Sequence, residues 1–309
     1  MKTDTISKSS KKDTLAKWPF IFMAPFLISF FAFKLYPTLY SLYISFFNWD
    51  GFNPRVFSGF NNYAKVLFRD SNFRLALWNT IKIVLCSIPI AIVIGVVLAA
   101  FLSSFTRGRR VFETINFLPY ITTPVAIGFI FAVSFDRNNG YINMILKGLG
   151  LIQENVFWIG DKRYAPYVVS LMILWKNFGY YMVLYLAGIS SIPQDMYDAA
   201  KIDGSNAVNT FFRITLPQLT PVTLFVVITG LIGGLQLFDE PVLLFRREMT
   251  NIVGGPGKTS LTVNWLMYDM AFGTQTQWGY GSAISFTLFI LIGILSLIGM
   301  KVMTKEDNL

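Results

Sequence analysis

Lys176, Asn177 and Tyr180 put an ammonium, an amide and a phenol into an apolar run that extends from about Tyr164 to Ser190. Lys176 lies roughly 18 Å along that run at the helical rise per residue. Residues three or four apart share a helix face, so Tyr180 projects on the same side as its two neighbours. A charge at such depth is costly and is a functional candidate by default. The chemistry on offer is recognition: the amide bonds hydroxyls, the ring supplies a stacking face, and the ammonium suits a carboxylate or phosphate on a ligand. The plainer alternative is an ion pair with Asp239 or Glu240. Bond-breaking chemistry is poorly provided for. The chain has no His, and its single Cys, Cys86, lies in an apolar run. That excludes His-based metal sites, Ser-His-Asp triads, Cys-His dyads and an intrachain disulfide.

Gly257-Lys258-Thr259-Ser260 imitates the end of a phosphate-binding loop, but the Gly required five residues earlier is Ile252, and no buried strand precedes it. The stretch from Ser191 to Pro217 is more informative. Pro193 suits a helix start. A short helix is expected to run to Asp203, with Gly204 as its left-handed C-terminal cap. Ser205 is expected to cap a second helix that ends before Pro217. The small residues Ala199, Ala200 and Gly204 would let another surface approach closely. Such a hairpin is a capped loop, a DNA-binding helix-turn-helix or a docking element for a partner. Two basic against three acidic residues between Pro193 and Pro217 argue against DNA.

The elements that must position these groups are membrane spans. Of 309 residues, 54% are apolar and 14% charged, against about 25% charged in a typical soluble chain. This excludes disorder, collagen-like repeats and a small disulfide scaffold. Six runs reach the length of about 20 residues that a bilayer demands. They are Trp18–Phe47 (interrupted by Pro37), Ala76–Phe105, Phe112–Phe135, Tyr164–Ser190, Leu219–Phe238 and Trp278–Met303. The first run has no small-residue cleavage site at its end and is read as a retained span. Six spans put both termini on one side. Arg107, Arg109 and Arg110 in a short loop, with the lysines of the N-terminal tail, favour a cytoplasmic assignment for that side. The net charge of +9 then faces anionic headgroups rather than nucleic acid. Lys82, near the start of the second span, is expected to snorkel to the interface, and for Lys34, just before Tyr36-Pro37, snorkelling is one of two open readings. The chain reads as an all-α polytopic membrane protein: a tail over residues 1–17, one domain over 18–303 with the hairpin at about 191–217, and a second tail over 304–309.

The hairpin carries a specific resemblance. Asp198-Ala199-Ala200, three residues, Gly204, nine residues, then Ile214-Thr215-Leu216-Pro217 resembles the signature of the permease subunits of binding-protein-dependent ABC importers. That pattern is Glu-Ala-Ala, three residues, Gly, nine residues, Ile, one residue, Leu-Pro. Every spacing matches, and Asp198 stands where Glu is usual. Tyr36-Pro37, Phe57-Ser58-Gly59-Phe60-Asn61-Asn62-Tyr63, Asn79-Thr80, Gly140-Tyr141-Ile142-Asn143, Gly254-Gly255-Pro256 and Gly279-Tyr280-Gly281-Ser282-Ala283 extend the likeness to the carbohydrate class, of the maltose and multiple-sugar type. The chain resembles the minimal six-span form, without the extra N-terminal spans and large outer domain of some maltose members.

The resemblance implies the type I ABC importer fold and no enzyme activity in this chain. It makes Asp198, Ala199, Ala200, Asp203, Gly204, Ile214, Leu216 and Pro217 the element that couples to an ATPase. It places Lys176, Asn177, Tyr180, Gly233, Gly234, Gln236 and Leu237 along a sugar path, helix packing being the structural alternative for Gly233 and Gly234. It implies four partners besides lipid: a second permease, two copies of a cytoplasmic ABC ATPase, and an extracellular or periplasmic sugar-binding protein. ATP and Mg would be held by the ATPase, with no cofactor in this chain. The location implied is a prokaryotic inner membrane with both termini cytoplasmic. The expected substrate is a sugar or oligosaccharide, with an acidic sugar or sugar phosphate as the alternative that Lys176 raises. An ion-coupled secondary transporter would need a proton or sodium site at depth, for which the chain offers no His and little mid-span Asp or Glu.

Overall fold

The computed structural model describes residues 18–105, 107–246, 253–274 and 276–306. The expected N-terminal tail lies outside the described residues. α1 (Trp18–Phe30) passes through a π-turn at Phe31–Leu35 into α2 (Tyr36–Ile44). Pro37 does not break this span. The π-turn, in which the Tyr36 N–H donates to the Phe31 carbonyl, absorbs the ring that an unaltered α-helix would exclude. A ribbon of β1 (Phe47–Asn48) and β2 (Val56–Phe57) pairs Phe47 with Phe57 and Asn48 with Val56, antiparallel. α3 (Asn61–Ala64) follows, then a π-turn at Lys65–Arg69 and the long α4 (Ser71–Ser103). The Asp70 carboxylate caps α4 by accepting from the Asn72 N–H.

α5 (Arg109–Ile121), α6 (Pro124–Ser134), α7 (Tyr141–Gly148) and α8 (Ala165–Ser190) come next. α9 (Gln194–Ile202) and α10 (Ala207–Thr210) form the hairpin. α10 continues through a π-turn at Phe211–Thr215 into α11 (Leu216–Gln218). α12 (Thr220–Leu235), α13 (Asp239–Arg246), α14 (Val263–Phe272) and α15 (Trp278–Glu306) complete the order.

Four of the six apolar runs are helices that can cross a bilayer alone: Phe22–Ile44, Ser71–Ser103, Ala165–Ser190 and Trp278–Lys301. The third and fifth are bent pairs. α5 and α6 meet at 96°, and Ala207–Gln218 meets α12 at 66°. The third run cannot stay straight because Pro124 forces Thr123 into extended backbone, ψ 141°. Thr123 then caps α6, accepting from the Ala126 N–H. The fifth run ends at Leu235 rather than Phe238. At 16 residues α12 spans roughly 24 Å, so it crosses only together with its bent neighbours.

The core is built on α4 against α8. A Cβ on Gly95 would lie 2.9 Å from Tyr181 Cβ, so glycine is what lets the two backbones approach, as in other lipid-embedded helix pairs. Ile83, Ile127, Met172 and Met182 fill this core without measurable exposure beyond 1%. The first span stays apart from it, with none of its apolar window buried by the rest of the chain.

The motif residues outside the hairpin are clamps. Asn62, buried, donates to the carbonyls of Ser45 (2.9 Å) and Phe47 (3.0 Å). Asn79 donates to the Lys258 carbonyl at 2.8 Å, and Thr80 accepts from the Val263 N–H at 3.2 Å. These bonds hold the Gly254-Gly255-Pro256 loop onto the start of α4. Lys258 itself donates to Asn72 at 3.1 Å, so the imitation phosphate loop is a tie between loops. Asn143 donates to the carbonyls of Asp136, Arg137 and Val156 and accepts from the Val156 N–H and the Trp158 indole. Asn143→Ala should cost about 2–3 kcal/mol, because it orphans several buried backbone groups at once. A fall in Tm of the purified protein measures this.

Candidate functional site

The two groups of predicted residues lie in two places. The first is a cavity of about 330 Å³ in the bundle, and all seven of Lys176, Asn177, Tyr180, Gly233, Gly234, Gln236 and Leu237 line it. α8 supplies the first three, α12 supplies Gly233 and Gly234, and the turn after it supplies Gln236 and Leu237. Gly233 faces open space, whereas a Cβ on Gly234 would meet Val84 at 2.8 Å. Helix packing therefore accounts for Gly234 and not for Gly233. Leu237 is 6% exposed and belongs to the packed core. Gln236 keeps its side chain exposed while its carbonyl accepts from Asn264 at 2.6 Å. Asn177 spends an N–H on the Ile173 carbonyl at 2.7 Å.

Lys176 has a partner. Its Nζ lies 2.6 Å from Glu240 Oε1, both side chains mostly buried at 19% and 10% exposure. The ammonium expected for an acidic ligand is thus already neutralised within the chain, by one of the two acids weighed from sequence. Burial explains why the pair forms, since either charge alone in this setting would be far costlier.

Sequence reasoning missed Tyr120. Its ring lies flat on Tyr180, centroids 4.2 Å apart and 7° between planes, and it lines the same cavity. Gly179 makes the stack possible: a Cβ there would overlap the Asn116 carbonyl of α5. The pairing of a glycine with an aromatic neighbour at 179–180 was the available signal. Gly179→Ala should push α5 away, open the stack and cost about 1–3 kcal/mol, measurable as lower Tm and as altered tyrosine environment by near-UV circular dichroism. Of the two span lysines, Lys82 lies over the Trp78 ring at 5.9 Å, one turn toward the start of α4, and Lys34 is exposed on the first span.

The second place is the hairpin. Gly204 has φ +73°. The Ser205 N–H donates to the Ala200 carbonyl and the Gly204 N–H to the Lys201 carbonyl, the two bonds of a Schellman cap. The cap of the following helix is Asn206, not Ser205: its side chain accepts from the Asn209 N–H at 2.8 Å. The second arm also runs past Pro217, since the π-turn at Phe211–Thr215 relieves the ring clash and places Pro217 in the first turn of α11. The Tyr197 hydroxyl and Thr215 Oγ1 join the arms at 3.2 Å.

Asp198 accepts from Lys201 at 3.0 Å and Gln194 at 3.3 Å. Those bonds, that of Lys201 first, hold its carboxyl below the usual carboxylate range. Asp203 and Ala199 are exposed, Ala200 is buried, and Ile214 and Leu216 are half-buried. Ile202 (87% exposed), Val208 and Phe212 present apolar side chains outward. A cleft of about 1000 Å³ separates the hairpin from Arg109 and the adjoining end of α4. The hairpin and the basic loop after α4 therefore share one end of the molecule, while Asn72, Asn79 and the Gly254–Lys258 loop meet at the other.

Residues 91–304 match the family of binding-protein-dependent transport system inner membrane components. The chain is 34% identical over 293 residues to the lactose transport system permease protein LacF of Rhizobium radiobacter, covering 94% of this chain and 96% of that one. It is 33% identical over 285 residues to the arabinooligosaccharides transport system permease protein AraP of Bacillus subtilis, covering 92% of this chain and 87% of that one. A bacterial ABC transporter involved in import of the acidic polysaccharide alginate shares the fold, with TM-score 0.81 at 21% identity over 96% of this chain and 99% of that one. With that fold, an Asp198–Pro217 hairpin in register and near full-length relatives, the chain belongs to the binding-protein-dependent transport system inner membrane components, the permeases of ABC importers.

Proposed function

We propose that this chain carries a neutral oligosaccharide across the inner membrane, driven by ATP hydrolysed in separate cytoplasmic subunits. The observation that carries this reading is the convergence of an amide, stacked tyrosines and an internally neutralised lysine on one cavity. Tyrosine rings stack on sugar CH faces and amides bond sugar hydroxyls, and a compensated ammonium gives anions no advantage. LacF and AraP are named for lactose and arabinooligosaccharides, which supports a sugar substrate here.

The hairpin residues Asp198, Ala199, Ala200, Asp203, Gly204, Ile214, Leu216 and Pro217 form the contact with the ATPase. Exposed Ile202, Val208 and Phe212 provide the apolar surface that such a contact buries. Two ATPase copies, which hold ATP and Mg, close on ATP and draw this hairpin toward that of a second permease. The spans then face outward, accept sugar from a binding protein, and reset on hydrolysis. Each state must make contacts the other lacks. Both termini lie on the hairpin side, facing the cytoplasm.

The test is purification of the tagged chain from cells expressing its candidate ATPase, second permease and binding protein. ATPase and permease should co-elute in a fixed ratio, and loaded binding protein should stimulate ATP hydrolysis. A chain that elutes without an ATPase overturns the proposal.

A further inference from the structure

A second cavity, about 430 Å³, opens at the end of the molecule away from the hairpin. Trp49, Asn53, Asp50, Lys65, Gln277 and Tyr280 line it. Lys65 sits over the Tyr280 ring at 4.0 Å and donates to Gln277 at 3.4 Å. Tyr280 in turn donates to Asp70 at 2.5 Å. Amides, a carboxylate and the Trp49 indole make a surface for a polyhydroxylated ligand; Tyr280, 3% exposed under Lys65, positions that ammonium rather than offering a face, and Arg55 lies 5.0 Å from the Trp49 ring.

The two cavities are joined by rings. Trp49 lies 5.6 Å from Trp278, Trp278 lies 5.7 Å from Phe272, Phe272 lies 5.2 Å from Tyr268, and Tyr268 lies 5.0 Å from Phe238. Trp49 walls the outer cavity and Phe238 walls the inner one. The middle rungs are open, with Tyr268 38% and Phe272 57% exposed. Gly51 seats the top rung. Its φ is +93°, and a Cβ there would lie 3.2 Å from the Trp278 ring.

The geometry points to a sugar rail: an outer subsite at Trp49 and Gln277, from which a linear neutral oligosaccharide descends along Trp278, Phe272, Tyr268 and Phe238 into the Lys176–Gln236 cavity. The rings tilt against one another by 43–66°, a chain of edges and faces that tolerates sliding, because each step trades one CH–ring contact for the next. Hydrogen bonds alone would hold the chain at one register. The polar residues at each end supply those bonds where the sugar must stop. This inference rests on the sugar reading given above.

The experiment measures sugar delivered per ATP hydrolysed by the reconstituted importer, using maltose, maltotetraose, cellotetraose and an arabinotetraose as probes. Tyr268→Ala and Phe272→Ala should each lower that ratio about fivefold, or about 1 kcal/mol, with a larger loss for the tetrasaccharides than for the disaccharide. Tyr268→Phe, which keeps the ring, should restore it. Phe289→Ala, an exposed ring on α15 outside the ladder, should leave it unchanged. Equal ratios in every variant overturn the rail while leaving the sugar reading intact. Loss of a partner subunit from the Tyr268→Ala complex would make the ladder a protein contact and overturn it as well. An unaltered importer that moves none of the four probes and no other sugar overturns the sugar reading and the rail together.

Discussion

Gly204→Val should reduce ATP-dependent uptake about tenfold or more while the spans still fold. Gly204 holds φ +73° with no atom within 4 Å of the position its Cβ would take. Space is therefore not the constraint; backbone conformation is. An L-residue held there costs roughly 1–2 kcal/mol, and a β-branched one is a genuine outlier. That energy is enough to shift a local equilibrium about 5- to 30-fold. It would be relieved by opening the Schellman cap, which would swing α10 and displace Ile202 and Val208 from the outward face. Asn tolerates the left-handed region, so Gly204→Asn should retain most uptake and Gly204→Ala should fall between. Uptake into proteoliposomes, with Tm as the control for folding, checks the order. Equal uptake in all three variants would remove the cap from the mechanism.

Glu240→Gln should destabilise the protein by about 3 kcal/mol, because it strands the Lys176 ammonium in a mostly buried site. Lys176→Met should cost a similar amount by stranding the carboxylate. The double variant Lys176→Met with Glu240→Leu should recover most of the loss, since a well-packed apolar pair replaces a buried ion pair at little cost. A double-mutant cycle on Tm isolates the coupling. The pair also makes a prediction for specificity. Lys176→Gln should lower uptake of neutral and acidic sugars by the same factor. Selective loss of acidic sugars would instead make the ammonium a ligand-reading group and revive an acidic substrate.

What was legible from sequence depended on the range of the interaction. Apolar runs of about 20 residues leave a bilayer few options, so the six runs all fell on helices. The Schellman cap was legible because its determinant, Gly204, is local. The bends were not, although Pro124 and Pro221 stood in plain view. A proline marks where a helix is perturbed, but only its surroundings decide between a 96° break, as at Thr122–Thr123, and a π-turn that lets the helix continue, as before Pro37. Asn206 took the capping role from Ser205 one residue on, within the ordinary uncertainty of helix ends. The seven residues named for the path line one cavity. Yet the partner of Lys176 lies 64 residues away, and the Tyr120 stack depends on a backbone approach at Gly179 that no sequence period records.

In the proposed cycle this chain moves sugar only when its hairpin transmits ATP hydrolysis. The most direct measurement is uptake of radiolabelled oligosaccharide into proteoliposomes holding this chain, its second permease and the ATPase, with loaded binding protein outside and ATP inside. Uptake should require both ATP and the binding protein and should be lost in Gly204→Val. Uptake that persists without ATP, or that follows a proton or sodium gradient instead, would contradict that cycle.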